Sequence, residues 1–242
     1  MSSVFTDALL ASRLPVIMEV KRQDGNGVEL MGDRTIEEVV SDYTAAGAPC
    51  LSVVTGRWFG GEEAMLDEVV SLTDLPILKK DFITRESQIV SAKERGASAI
   101  LLTARILSKS SFQKLIATIL RHDLTPFVEV ADHDELATVV HTEDCIVAIN
   151  NKDIRNQERD GGDLDLSRSL LEATLETGTP CPVSASAITD PRIAAELVTI
   201  GFKGLLIGTG LLRSGNVQGW IDEFEQHRTA MASETQSTEP RA

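Results

Sequence analysis

Eight short apolar runs, each followed by a helix-like stretch, recur along this 242-residue chain at intervals of ~20 to 35 residues. They are Pro15–Val20, Pro49–Val54, Leu75–Leu78, Ala97–Leu102, Thr125–Val130, Cys145–Ile149, Pro180–Val183 and Gly204–Ile207. Their near-continuous Val, Ile and Leu content, without polar alternation, is the pattern of parallel strands covered by helices. Eight such units can close into a ring. An open doubly wound sheet usually has fewer strands and carries a glycine-rich GxGxxG loop after the first, and no such loop follows Val20 here. The expected fold class is α/β, a single-domain (β/α)8 TIM barrel.

The stretches between the runs carry helix punctuation. Thr35–Glu38 and Asp132–Glu135 have capping-box spacing, and Asp190 precedes Pro191, a residue suited to a first helical turn. Gly47, Gly96 and Gly201 stand where helices would end in a left-handed residue. The pattern divides the chain into a short N-terminal segment, 1–13, a barrel over 14–230, and a tail, 231–242. Ala232–Ala242 is polar and lacks periodicity, so the tail is expected to be disordered.

Composition narrows the partners. A net charge of −14 and a pI near 4.7 argue against nucleic acid, which needs a basic face, and require any anionic small substrate to meet a local basic site. No apolar run approaches the ~20 residues that span a bilayer, so no membrane partner is expected. The N-terminus lacks a secretory pattern, which implies a cytoplasmic protein. Cys50, Cys145 and Cys181 lie far apart with no CxxC spacing and are expected as buried small hydrophobes. Nothing in the sequence sets an oligomeric state.

In a barrel of this kind the chemistry comes from the C-terminal ends of the strands. The polar residues there are Glu19 and Lys21 in the first unit, Lys79 and Lys80 in the third, Glu129 in the fifth, and Asn150, Asn151 and Lys152 in the sixth. The two-residue period of a strand lets Glu19 and Lys21 point the same way, and lets Lys80 enter while Lys79 faces the helices. Buried together, ammonium and carboxylate groups shift one another's pKa values, the condition for acid–base work near neutral pH. A ring of ion pairs holding the strand ends is the competing reading for any one of them. It weakens for the set, because buried pairs add little net stability.

A second group follows the seventh and eighth runs, Ser184-Ala-Ser-Ala187 and Gly208-Thr-Gly210. Small residues there let a phosphate approach backbone N–H groups, although a Gly-Thr-Gly is equally a tight turn. Trp58 and Phe59, ahead of Gly60 and Gly61, either stack on an aromatic ligand or pack on the first helices. His122, His133, His141 and His227 all fall in or beside helical stretches, away from the strand ends, so no metal is implied.

Four stretches, Leu78-Lys-Lys-Asp-Phe-Ile83, Phe127-Val-Glu-Val130, Ile149-Asn-Asn-Lys-Asp153 and Leu206-Ile-Gly208, give the chain a resemblance to the indole-3-glycerol phosphate synthase family. The resemblance covers the barrel from Pro15 to about Arg213. It implies a cofactor-free lyase that closes a small phosphorylated aromatic-amine sugar, 1-(2-carboxyphenylamino)-1-deoxyribulose 5-phosphate, to the indole of tryptophan biosynthesis, with loss of carbon dioxide and water. By the same resemblance Lys80 is the general acid and Glu129 the general base. Lys21 assists the acid or holds phosphate, and Glu19 and Asn150 orient substrate and lysine. Phe59, Phe82, Lys152 and Ser184 would bind substrate, and Ser186, Gly208 and Thr209 its phosphate.

Departures from the family pattern fall on ligand-facing positions. Only 18 residues precede Glu19, fewer than is usual in the family, which implies a more open pocket. Asp24 stands where a phosphate-contacting hydroxyl is expected, Ser184–Ala187 replaces Ser-Glu-Ser-Gly, and Lys152 replaces an arginine. Two rivals therefore accompany the ring-closing lyase. One is a diverged barrel enzyme of secondary metabolism acting on another phosphorylated or carboxylated substrate, and the other is a non-catalytic barrel subunit.

Overall fold

Each apolar run becomes a parallel strand, and pairing passes from neighbour to neighbour until β8 closes on β1. The computed structural model describes residues 3–156 and 158–238. Its strands are β1 Val16–Val20, β2 Leu51–Val54, β3 Ile77–Lys80, β4 Ala99–Thr103, β5 Thr125–Val130, β6 Ile146–Asn150, β7 Cys181–Ala185 and β8 Gly204–Ile207. Several end later than their apolar runs, at Lys80, Thr103, Asn150 and Ala185. Apolar character fades where inward-facing polar groups begin, but the hydrogen-bond ladder continues beneath them.

The helices are α1 Val4–Ala11, α2 Ile36–Ala45, α3 Glu63–Leu72, α4 Glu86–Glu94, α5 Lys109–Arg121, α6 His133–Leu136, α7 Leu164–Glu176, α8 Pro191–Ile200, α9 Thr209–Ser214 and α10 Val217–Thr238. The punctuation read from sequence operates as expected. Thr35 and Glu38 form a reciprocal capping box, Asp132 accepts from the Glu135 N–H, and Asp190 caps the turn that Pro191 opens. Gly47 and Gly96 sit at φ +84° and +94° just past α2 and α4, a region open to glycine because it has no Cβ.

Strand phase sorts the side chains into two cores. Outward-facing Met18, Val53, Ile100, Val128 and Val147 pack under the helices, while Ile17, Leu78, Leu101, Phe127, Ile146, Val183 and Leu206 fill the barrel interior. The N-terminal segment joins the inner core. Phe5 and Leu9 of α1 are fully buried with it, and the Ser3 hydroxyl both caps α1 and meets the Thr125 hydroxyl at the start of β5. A Cβ on Gly204 would lie 2.9 Å from the Leu9 side chain, so β8 begins with the one residue that lets the plug seat. Cys50 and Cys181 are buried in this floor, and Cys145 lies in the outer core.

At the other terminus, where a disordered tail is expected over 231–242, the described residues continue as helix. Helix α10 continues to Thr238, and Met231 packs on the outer core, so an apolar anchor lies at the very point where disorder was expected to begin. Residues 239–242 of that tail lie outside the described residues. Among the described residues no helix is long and apolar enough to cross a membrane.

Candidate active site

Three alternate strands each send one charged side chain into the top of the barrel, the way a layer of such a barrel is built. Glu19 comes from β1, Lys80 from β3 and Glu129 from β5, and all are buried. Glu19 is the hub. Its carboxylate lies 3.0 Å from Lys21 Nζ and 3.3 Å from Lys80 Nζ, and accepts from the Ser52 hydroxyl at 3.4 Å. Lys80 Nζ is also 3.8 Å from Glu129 Oε1. The Asn150 amide donates to Glu129 Oε2 at 3.3 Å, while Oε1 has no hydrogen-bond partner among the described residues. Lys79 points the other way, to Glu63 on α3, as the strand period requires.

Glycine at 208 has a geometric cause here. A Cβ at that position would stand 2.6 Å from Glu19 Oε1, so any side chain would displace the hub carboxylate. The end of β8 thus shapes the acid–base cluster as well as the cavity beyond it.

The two glutamates differ electrostatically although both are buried. Burial alone would raise Glu19, but the ammonium groups of Lys21 and Lys80 outweigh it and hold the carboxyl at about 2. For Glu129 burial prevails over the attraction of Lys80, helped by the nearby charges of Glu158 and Glu19, and its pKa is pushed up to about 7. Burial opposes the charged form of Lys80, yet Glu19, Glu129 and Glu158 together hold its pKa above the usual lysine value. The pair therefore offers a firmly protonated acid beside a carboxyl that changes charge near neutrality, with the environments pushed apart as acid–base division of labour requires.

An open cavity lies over this cluster, lined by Glu19, Lys21, Lys80 and Glu129 on its floor and by Trp58, Phe59 and Phe82 at its side. Trp58 meets Phe82 edge to face at 4.9 Å and is 56% exposed, so it forms a rim open to ligand rather than core. Gly61 secures this wall, because a Cβ there would lie 2.3 Å from the Val54 carbonyl oxygen. Phe59 and Phe82, expected to bind substrate, both line this cavity.

A second cavity opens above β7, β8 and the loop after β1, and holds Gly208, Thr209, Lys21, Lys152, Arg159 and Arg213. It is the locally basic site that an acidic chain needs for an anion. Asp24 lies in it too, but its charge is compensated. Burial would raise its pKa, while the N–H groups of Val28 and Asn26, at 3.0 and 2.9 Å, and the Arg213 guanidinium at 2.6 Å lower it.

Two serines do not meet expectation. Ser184 faces outward and is wholly buried, with its hydroxyl engaged by Ser167 of α7 at 2.7 Å and by the Asn151 amide at 3.1 Å, so it does not reach either cavity. Strand β7 runs to Ala185, and the period places Ala185 inward and Ser184 outward. Ser186 is half-buried beside the second cavity without lining it. Both Ser186 and Ala187 sit at positive φ, +68° and +62°, which costs non-glycine residues about 1–2 kcal/mol each. Asn151 holds that turn by donating to the carbonyls of Ala185 and Ser186 at 2.9 and 3.1 Å.

Asn151 is therefore a positioning residue that site assignment from the sequence left out. So were Arg159, Arg213 and Glu158, the last of which lines the first cavity. Arg213 lies on a helix and the other two in the loop between β6 and α7, where no period signals direction. The expected Glu19, Lys21, Lys80, Glu129 and Asn150 are brought together as a single cluster.

Comparison with known proteins places this geometry. The family profile for indole-3-glycerol phosphate synthase matches residues 2–224. The chain is 33% identical to the indole-3-glycerol phosphate synthase of Pyrococcus furiosus, over 88% of this chain and 92% of that protein. It is 30% identical to the indole-3-glycerol phosphate synthase of Staphylococcus aureus, over 89% of this chain and 81% of that one. The tryptophan biosynthesis protein TrpCD of Archaeoglobus fulgidus is 37% identical over 65% of this chain, a match that spans 28% of that longer protein. By profile, by relatives matched over most of their length, and by the closed barrel that carries the site, the chain belongs to the indole-3-glycerol phosphate synthase family.

Proposed function

We propose that this protein catalyses the ring closure of 1-(2-carboxyphenylamino)-1-deoxyribulose 5-phosphate to indole-3-glycerol phosphate, releasing carbon dioxide and water, without a cofactor. The observation that carries this reading is the buried pairing of a protonated Lys80 with a Glu129 that titrates near neutrality, beneath an aromatic wall. In the first step the carboxylate-bearing ring carbon attacks the C2 ketone, and Lys80 gives its proton to the developing alkoxide. Loss of carbon dioxide returns the bonding electrons to the ring. The new C2 hydroxyl then leaves as water, protonated by a recharged Lys80, while Glu129 removes a proton from C1. Two protons are donated and one recovered, so the reaction takes up one proton from solvent.

Glu19 serves both lysines, holding them charged and in place, and Asn150 fixes the Glu129 carboxylate for the C1 proton. Phe59 and Phe82, with Trp58 at the rim, accept the aromatic ring. Lys21, Lys152, Gly208 and Thr209 receive the phosphate, with Arg159 and Arg213 adding charge. Ser186 would act through its backbone, which shapes the turn beside that cavity. We infer a cytoplasmic enzyme with a small-molecule partner, supported by the absence of a membrane-crossing helix among the described residues and by three buried, unpaired cysteines.

The test is incubation of the purified protein with the carboxyphenylamino deoxyribulose phosphate while indole fluorescence is followed. Signal should grow with wild type and fall about 100-fold or more for Lys80→Ala and for Glu129→Gln. No indole signal from wild type at high enzyme concentration refutes the activity. Wild-type rates in both variants refute the roles.

A further inference from the structure

Glu158 lines the reaction cavity, yet the mechanism above gives it no task. It is built into place. Its N–H donates to the Asp153 carbonyl at 3.2 Å, and its own carbonyl accepts from Lys152 Nζ at 3.2 Å. On its C-terminal side, Asp160 accepts from the N–H groups of Asp153 and Gly162 at 3.0 and 2.9 Å, and Arg159 Nε donates to the Gly25 carbonyl of the loop after β1 at 3.3 Å. These anchors hold Glu158 at φ +56°, a left-handed conformation that side chains other than Gly, Asn and Asp seldom adopt. The residue is only 4% exposed. Its carboxylate nevertheless receives no hydrogen bond from the described residues, although it acts electrostatically on Lys80 and Glu129.

A carboxylate that lines the cavity and has no donor among the described residues is placed to accept a hydrogen bond from a ligand there. Both nearby cations are already engaged by Glu19. Asp81, which lines the same cavity, is by contrast satisfied by the Phe82 N–H at 2.7 Å and the Thr55 hydroxyl at 3.1 Å. Glu158 also stands between the two cavities, since Lys152, Arg159 and Asp160 beside it line the basic one. A ligand with its ring on the aromatic wall and its phosphate in the basic cavity must pass its amine and hydroxyl groups across this point.

We propose that Glu158 is a further substrate-contacting residue, whose carboxylate accepts a hydrogen bond from a neutral N–H or O–H donor between the ring and the phosphate. This rests on the ring-closure reading. The probe is the unreactive alcohol obtained by reducing the substrate ketone, with its binding to the full-length protein measured by calorimetry. Glu158→Gln keeps the shape and removes the charge, while Glu158→Gly suits the left-handed backbone and removes the side chain. Each should bind the alcohol at least about tenfold more weakly than wild type while keeping its melting temperature.

A second probe, with an ether oxygen in place of the anilino nitrogen, identifies the donor. If wild type and Glu158→Gly bind the ether equally, the donor is the N–H; if the tenfold difference persists, it is a sugar hydroxyl. Folded variants that bind the alcohol as tightly as wild type overturn the assignment of Glu158 and leave ring closure standing. Wild type that does not bind the alcohol at all overturns the ring-closure reading and the assignment with it.

Discussion

The acid–base pair at the barrel mouth makes opposite demands on pH at two neighbouring carboxylates. Glu19, held at about 2, contributes stability that is present above its ordinary value of 4.5 and is lost as pH falls toward 2. Glu129, raised to about 7, works in the other sense: the fold is favoured while it is protonated, and that contribution is lost as pH rises from 4.5 through 7. Glu129→Gln should therefore be more stable than wild type at pH 8, by on the order of 2 kcal/mol, and nearly equal to it at pH 5. Thermal melts at the two pH values check this, and a variant less stable than wild type at pH 8 would contradict the burial argument. As a base, Glu129 must be ionised, so kcat/KM should rise with pH through about 7. A rate still flat down to pH 5 would remove Glu129 from that role.

Legibility at the residue scale followed strand phase. Glu19, Lys80 and Glu129 could be read because a two-residue period inside an apolar run leaves a polar residue only two directions. Ser184 was carried over as a substrate contact from the family resemblance, whereas the period of β7, with Val183 and Ala185 inward, turns it outward. Glu158 and Asn151 had no such signal, since one lies in a loop and the other acts through hydrogen bonds to a turn 35 residues away.

Among the elements, α1 is the least expected from sequence and the easiest to test. Sequence marks residues 1–13 only as a short N-terminal segment, and nothing in it shows the barrel floor that Phe5 and Leu9 of α1 fill. Phe5→Ala would empty a fully buried site there at a cost of about 3–5 kcal/mol, which for a chain of this size lowers the melting temperature by roughly 8–15 °C. Because the plug lies at the end opposite Lys80, KM and kcat at 25 °C should stay within about twofold of wild type. A large change in KM with little loss of stability would contradict this division between floor and mouth. Helix α10 teaches a related lesson: its last turns are polar, and packing of Met231 carries it beyond the point where composition predicts order to end.

At the scale of the whole molecule, the barrel was legible because eight apolar runs of similar spacing admit few closed arrangements, and the order of pairing adds no exception to it. The local charge was less legible. A net charge of −14 conceals a basic cavity whose four cations come from the loop between β6 and α7, from α9 and from just past the end of β1, so that only closure of the ring assembles it. The central claim is that this assembly turns a carboxylated aryl amine into an indole in one site. Its most direct test uses substrate labelled with carbon-13 in the ring carboxylate and follows labelled carbon dioxide and indole-3-glycerol phosphate together. Wild-type protein should release the two in a one-to-one ratio, and Lys80→Ala should release neither at a comparable rate. Labelled carbon dioxide without the indole, or an indole product that retains the label, would contradict the account.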